Sequence, residues 1–180
     1  ALTALSMMHA GSSQWKRVPV EKRIELLEKL ADWMVQKKME LSAWMIFEVG
    51  KNWREADADV CEAVDFCRYY AREMARLSSP RVTQLVQGER DLLSYHPKGV
   101  SVVISPWNFP FAILAGMAMA SLVTGNTVIL KPAESSMVIA AKLIEGMREV
   151  GFPEWSYYFL PGQGEDIGPL LVSDPRVDII

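Results

Sequence analysis

An α/β fold with a parallel sheet is what this sequence predicts, on three observations. Over residues 99–180, short apolar segments alternate with helical stretches of about 10–15 residues, the rhythm of right-handed βαβ crossovers. Residues 1–80 repeat apolar side chains at three- and four-residue intervals, as helices packed by one face do. Between the two blocks lies a short stretch with hairpin character, so a helical N-terminal layer, a small β-hairpin extension and the first half of a parallel sheet are expected in that order.

The first forty residues read as helical, with Ile24, Leu27, Leu30, Ala31 and Met34 along one face and Glu21, Lys22, Glu25, Glu28 and Lys29 off it. A second helix is expected over residues 39–49, stopped by Gly50. A third runs over residues 53–77, with Val60, Val64, Cys67, Tyr70, Ala71 and Met74 on one side and Pro80 beyond its end. Residues 82–86 and 92–96 flank Gly88-Glu89-Arg90 and read as a hairpin. A hairpin this small is marginal alone, so it is expected to pack on a partner subunit or another domain. The strands that follow are expected at residues 100–105, 127–130, 157–160 and 177–180, with helices over 111–123, 137–150 and a short one to Leu171. A fourth strand with no helix after it would leave one sheet face uncovered, so the chain is expected to be cut rather than finished.

Composition narrows the function. At 180 residues and 50% hydrophobic, the chain can bury a real core as one domain with an appendage. The expected division is 1–80 helical part, 81–98 hairpin as an oligomerisation element, and 99–180 βα units. Net charge is −3 with both signs interspersed, which gives a nucleic-acid partner no electrostatic support. Cys61 and Cys67 lie six positions apart in one helix, a spacing that suits neither zinc nor a disulfide framework, so a reduced cytoplasmic setting is expected. No secretory signal pattern opens the sequence. The 32 residues between Lys98 and Lys131 carry no charge, more than the ~20 a membrane span needs. Pro106, Asn108, Pro110, Gly125 and Asn126 interrupt that run where turns would fall, which fits a buried parallel sheet instead.

In an open parallel sheet, ligands bind beyond the carboxyl ends of the strands. The turns there read Pro106-Trp107-Asn108-Phe109-Pro110, Lys131-Pro132-Ala133-Glu134-Ser135 and Pro161-Gly162-Gln163-Gly164-Glu165-Asp166-Ile167-Gly168. Asn108 fits two roles: an N-cap for the following helix, or an amide donor to an oxyanion. Lys131 and Glu134 are either an exposed ion pair or a fork for the vicinal hydroxyls of a ribose, where a carboxylate would favour NAD over NADP. Gly162, Gly164 and Gly168 space one residue longer than the dinucleotide fingerprint and by themselves allow only a close backbone approach.

Together, SPWNFP (105–110), GNTVILKPAESS (125–136) and FLPGQGEDIG (159–168) resemble three motifs of the aldehyde dehydrogenase superfamily in order and separation. Glu48-Val49-Gly50-Lys51 resembles the region before that family's cofactor domain, so the likeness covers nearly the whole chain. Residues 59–66 and Tyr69-Tyr70-Ala71 are most similar to the glutamate γ-semialdehyde (pyrroline-5-carboxylate) dehydrogenases, including the dehydrogenase part of bifunctional proline-catabolic proteins. The resemblance implies a Rossmann-like sheet, an NAD cofactor, an aldehyde substrate and a homo-oligomer. By position, it implies an oxyanion amide at Asn108 and a nicotinamide lining at Ile104, Ser105, Pro106 and Trp107. It also implies ribose contacts at Lys131 and Glu134, an adenine-side loop at Gly164, and substrate contacts at Phe109 and Glu62. The family's nucleophilic cysteine and general-base glutamate match no position in these residues, so an N-terminal fragment, inactive alone, is expected. Another aldehyde dehydrogenase subfamily, or a non-catalytic nucleotide-binding or assembly module, stands as the alternative.

Overall fold

The computed structural model describes residues 1–180. Four helices come first: α1 (Leu2–Trp15), α2 (Val20–Gln36), α3 (Lys38–Val49) and α4 (Trp53–Leu77). The hairpin strands β1 (Arg81–Val86) and β2 (Glu89–Leu93) follow. Then come β3 (Val100–Ile104), α5 (Ala112–Val123), β4 (Thr127–Lys131), α6 (Met137–Val150), β5 (Tyr157–Phe159) and α7 (Gly164–Ser173), with a 3-10 turn at Glu134–Ser136 leading into α6.

The strands β3, β4 and β5 form a parallel sheet in that order. Its register places Ile104 opposite Lys131, so the turns that follow β3 and β4 leave the same edge side by side. Residues 177–180, expected as a fourth strand, make only one parallel bridge, Ser101 to Ile179. At the start of this pairing the Asp178 carboxylate accepts the Val100 N–H at 2.8 Å, where a regular ladder would place a backbone carbonyl. This segment lies on the side of β3 away from β4, because Val102 N–H donates to the Ile179 carbonyl at 2.9 Å. The chain therefore leaves β3 in both directions, which makes the end of β3 a topological switch point.

Nor is a sheet face left bare. Ala4, Leu5 and Met8 of α1 pack with Val100, Val102, Ile129 and Leu171 on that face. Thr127 Oγ1 donates to the Met8 carbonyl at 3.0 Å, and Trp15 Nε1 to the Leu122 carbonyl at 2.9 Å, both buried. Gly11 lets α1 come this close, since any Cβ there would collide with the Trp155 carbonyl. Periodicity identifies α1 as a helix but cannot say that it crosses to the opposite side of the sheet from α2. Val103, Val128 and Leu130 face the other way, into the main core with α5, α6 and the outer helices α2, α3 and α4. Each fully buried aliphatic side chain there is worth about 1.5–3 kcal/mol.

Two details differ from the periodic reading. The buried face of α2 is rotated from the expected stripe: Arg23, Leu26 and Trp33 are inside and Ile24 is only half-buried. Arg23 lies against Gly125, its Nε and Nη1 have no hydrogen-bond partner, and burial pushes its pKa down. The hairpin is tighter than expected. Val86 pairs with Glu89 across Gln87-Gly88, so Glu89 and Arg90 belong to β2, while residues 94–96 have left the ladder. Every residue of both hairpin strands is exposed. No helix is long and apolar enough to cross a membrane.

Candidate functional site

Two turns on one sheet edge hold most of the residues singled out by sequence. The first leaves β3. Ser105 N–H donates to the Lys131 carbonyl at 3.2 Å, which carries the parallel pairing one step past the strand. Ser105 is buried and its Oγ has no partner. Pro106, Trp107, Asn108 and Phe109 are exposed along the edge.

Asn108 does not cap the following helix. The first helical residue of α5 is Ala112, and Phe111 occupies the N-cap position without a side-chain cap. The acceptor comes from elsewhere: Asp59 of α4 takes the Ala112 N–H on Oδ1 at 2.6 Å. Its other oxygen accepts from Lys51 Nζ at 2.6 Å, and that ammonium stands 4.4 Å from the centre of the Phe109 ring. Lys51 reaches this position because α3 ends at Gly50 in the left-handed conformation (φ 72°), which turns the chain sharply toward α4. Asn52 then caps α4, accepting the Glu55 N–H on Oδ1 at 2.9 Å. An open cavity of about 470 Å³ lies between the layers, lined by Gly50, Lys51, Glu55, Trp107, Asn108 and Phe109. That volume falls in the range of small-molecule sites.

The second turn leaves β4 and is internally tied. Lys131 is buried, and its Nζ donates to Glu134 Oε1 at 2.8 Å and to the Pro132 carbonyl at 3.1 Å. Glu134 Oε1 also accepts the Gly164 N–H at 2.6 Å, which links this turn to the start of α7. The Lys131 ammonium above all, and then the backbone N–H groups of Glu134 and Gly164, hold the Glu134 carboxyl down at about 2. A Cβ on Gly164 would stand in ordinary contact with the pair, 3.4 Å from Glu134 Oε1 and 3.7 Å from Lys131 Nζ. An ammonium donor beside an ionised carboxylate acceptor suits two adjacent hydroxyls, as on a ribose.

Helix ends also constrain what can bind. Glu48 of α3 accepts the Val138 N–H at 2.6 Å and the Ile139 N–H at 2.8 Å, at the start of α6. Asp59 does the same for α5, while α7 opens with Glu165 and Asp166. None of these three helices thus presents a free positive pole to a phosphate.

The sheet edge brings Ile104, Ser105, Pro106, Trp107, Asn108 and Phe109 next to Lys131, Glu134 and Gly164. Glu62 is not among them. It lines a separate shallow cavity of about 310 Å³ with Asp65, Phe66, Tyr69 and Tyr70. Neither cysteine lines the Asn108 cavity; Cys67 is buried, and desolvation pushes its thiol up to about 12. No group of three or more His, Cys, Asp or Glu side chains could hold a metal ion. Sequence reading passes over Lys51, Asp59 and Glu48 as site-builders, although all three lie inside or beside stretches that carry the family likeness.

A parallel sheet with ligand-competent turns at its switch point defines a nucleotide-binding α/β class, and the match to known proteins makes it specific. The chain belongs to the aldehyde dehydrogenase family, which it matches over residues 1–180. It is 48% identical over 166 residues to a 1-pyrroline-5-carboxylate dehydrogenase of Geobacillus kaustophilus, covering 92% of this chain and 32% of that one. A crystal structure of 1-pyrroline-5-carboxylate dehydrogenase from Thermus with bound NAD superposes with a TM-score of 0.92 at 47% identity, over 97% of this chain and 34% of that one. Proline utilization A from Bdellovibrio bacteriovorus, inactivated by N-propargylglycine, superposes with a TM-score of 0.95 at 46% identity, over 97% of this chain and 18% of that one. The chain therefore spans about a third of the length of the curated relatives it matches.

Proposed function

We propose that these residues form the N-terminal part of an enzyme that oxidises glutamate γ-semialdehyde to glutamate with NAD in proline catabolism. The observation that carries this reading is the juxtaposition of the Asn108–Phe109 turn, facing an open cavity, with the Lys131–Glu134 fork on the adjacent strand end. When bound, NAD would supply the hydride acceptor. Lys131 and Glu134 would hold its adenosine ribose, and the approach of Gly164 would border the adenine side. Ile104, Ser105, Pro106 and Trp107 would line the nicotinamide half, where the unpartnered Ser105 Oγ offers a hydrogen bond. The Asn108 amide would donate to the aldehyde oxygen as negative charge develops on it, an interaction typically worth ~2.7–4 kcal/mol.

Phe109 would pack against the substrate's methylene chain. Glu62 lies four residues along α4 from Ala58, which lines the Asn108 cavity, a rise of about 6 Å. Its carboxylate would meet the substrate's α-ammonium group at the far end of the same helix face. The attacking thiol and the water-activating base would come from outside residues 1–180, as the family resemblance implies. The exposed hairpin, with Leu85, Val86, Leu92 and Leu93 all solvent-facing, would serve as the contact between subunits of a cytoplasmic homo-oligomer. Assay of the complete polypeptide with NAD and glutamate γ-semialdehyde tests the reading. NADH formation is expected, and residues 1–180 alone should form none. A complete enzyme that oxidises simple aliphatic aldehydes but not the semialdehyde would overturn the substrate assignment.

A further inference from the structure

We propose that Asp59 and Lys51 are positioning residues, which clamp the Asn108–Phe109 turn through its C-terminal side, at Phe109 and Ala112. The Asp59 side chain is fully enclosed, and that of Lys51 is 10% exposed. The two Asp59 oxygens serve two elements: one accepts the Ala112 N–H behind the turn, and the other holds the Lys51 ammonium. Lys51 in turn stands over the Phe109 ring, in front of the turn. Asn108 lies one peptide before Phe109, next to the Phe109–Ala112 stretch that these two contacts hold.

An ammonium over an aromatic face gains from the ring quadrupole, most of all where water is excluded. Because Asp59 anchors the ammonium, the ring cannot swing without losing that contact. A backbone shift at Phe109 that broke this contact would also displace Asn108, which shares a peptide bond with it. Displacements near 1 Å at a reacting centre can lower rates by about a hundredfold. The clamp acts on one turn only, since the β4 turn is fastened by its own Lys131–Glu134–Gly164 contacts.

The rate readout of this inference rests on the function proposed above, whereas the exchange readout does not. The test compares the complete wild-type enzyme with the double variant Asp59→Asn/Lys51→Met, which removes both charges so that neither is left buried alone. Lys51→Arg is the conservative control, and Phe109→Leu removes only the ring and serves if the double variant does not fold. Amide hydrogen exchange is followed in peptides covering residues 105–112 and 131–139. In the double variant and in Phe109→Leu, exchange over 105–112 is expected to be roughly tenfold faster and that over 131–139 unchanged.

With the semialdehyde as substrate, kcat per active site should fall roughly ten- to a hundredfold. KM for NAD should stay within about twofold. Lys51→Arg should restore both kcat and the protection of residues 105–112. Equal acceleration in both peptides, or none over 105–112, would overturn the clamp. Absence of turnover in the wild-type enzyme would overturn the proposed substrate instead, and the exchange comparison would still decide the clamp.

Discussion

The turns after β3 and β4 start from neighbouring residues of one sheet edge and are held in opposite ways. The β4 turn is fastened mainly by itself: Lys131 holds Glu134 three residues on, and the same carboxylate oxygen takes the Gly164 N–H from the neighbouring turn of the sheet edge. The β3 turn has no internal fastening of that kind and depends on Lys51 and Asp59, which arrive from the outer helical layer. Both helices that follow are capped by carboxylates from that layer, Asp59 for α5 and Glu48 for α6. A self-fastened turn suits a site that must look the same before and after a nucleotide binds. A turn held from a second layer couples the Asn108 end of the sheet edge to packing well away from it.

Three substitutions would break or sharpen this contrast. The largest effect is expected for Asn108→Ala in the complete enzyme. If its amide meets the oxyanion, kcat should fall about a hundredfold or more while the folding midpoint stays put, as steady-state kinetics and thermal melts would show. An unchanged kcat would leave the β3 turn without a catalytic group.

Glu134→Gln should act on the cofactor end alone, raising the Kd for NAD on the order of tenfold and narrowing the preference over NADP. The pH dependence sharpens this further. The Glu134 carboxyl is held at about 2, below its ordinary value, so its contribution is complete above the unfolded carboxylate range and is lost as pH falls toward 2. NAD affinity measured by titration calorimetry between pH 5 and 8 should therefore carry no step from Glu134. A step that Glu134→Gln abolishes would contradict the self-fastened picture.

The smallest effect is expected for Glu48→Gln. It keeps one acceptor oxygen at the start of α6 but sets an NH2 donor against the other backbone N–H, at a stability cost of about 1 kcal/mol by urea unfolding. The β4 turn should keep its nucleotide affinity, since its fastening lies elsewhere.

How far such contrasts can be foreseen depends on how local they are. The strands are readable because a sheet buried on both faces leaves near-continuous apolar runs, and the β4 fork is readable because its partners sit three residues apart. Asp59 and Glu48 look like ordinary helix carboxylates, for their partners lie 53 and 90 residues away. Arg23 shares the helix face of Leu27, Leu30 and Met34, but its charge argues for solvent, and only the packing against Gly125 shows it buried. Residues 177–180 have strand composition, but one side chain, Asp178, takes the bond that would have extended the ladder. For Asp59, Glu48 and Asp178 a long-range polar contact adds to or overrides a pattern that is locally sound, and for Arg23 packing does so.

The direction of those long-range caps bears on how the chain assembles. Glu48 and Asp59 precede Ala112, Val138 and Ile139 in sequence, so during synthesis from the N-terminus both acceptors emerge before the amides they receive. When α5 and α6 leave the ribosome, an already collapsed α2–α3–α4 unit can act as a template that offers each new helix a docking point for its first turn. The order of the chain thereby turns the outer helical layer into a scaffold for the sheet half, and errors in it would be inherited by the helices that dock afterwards.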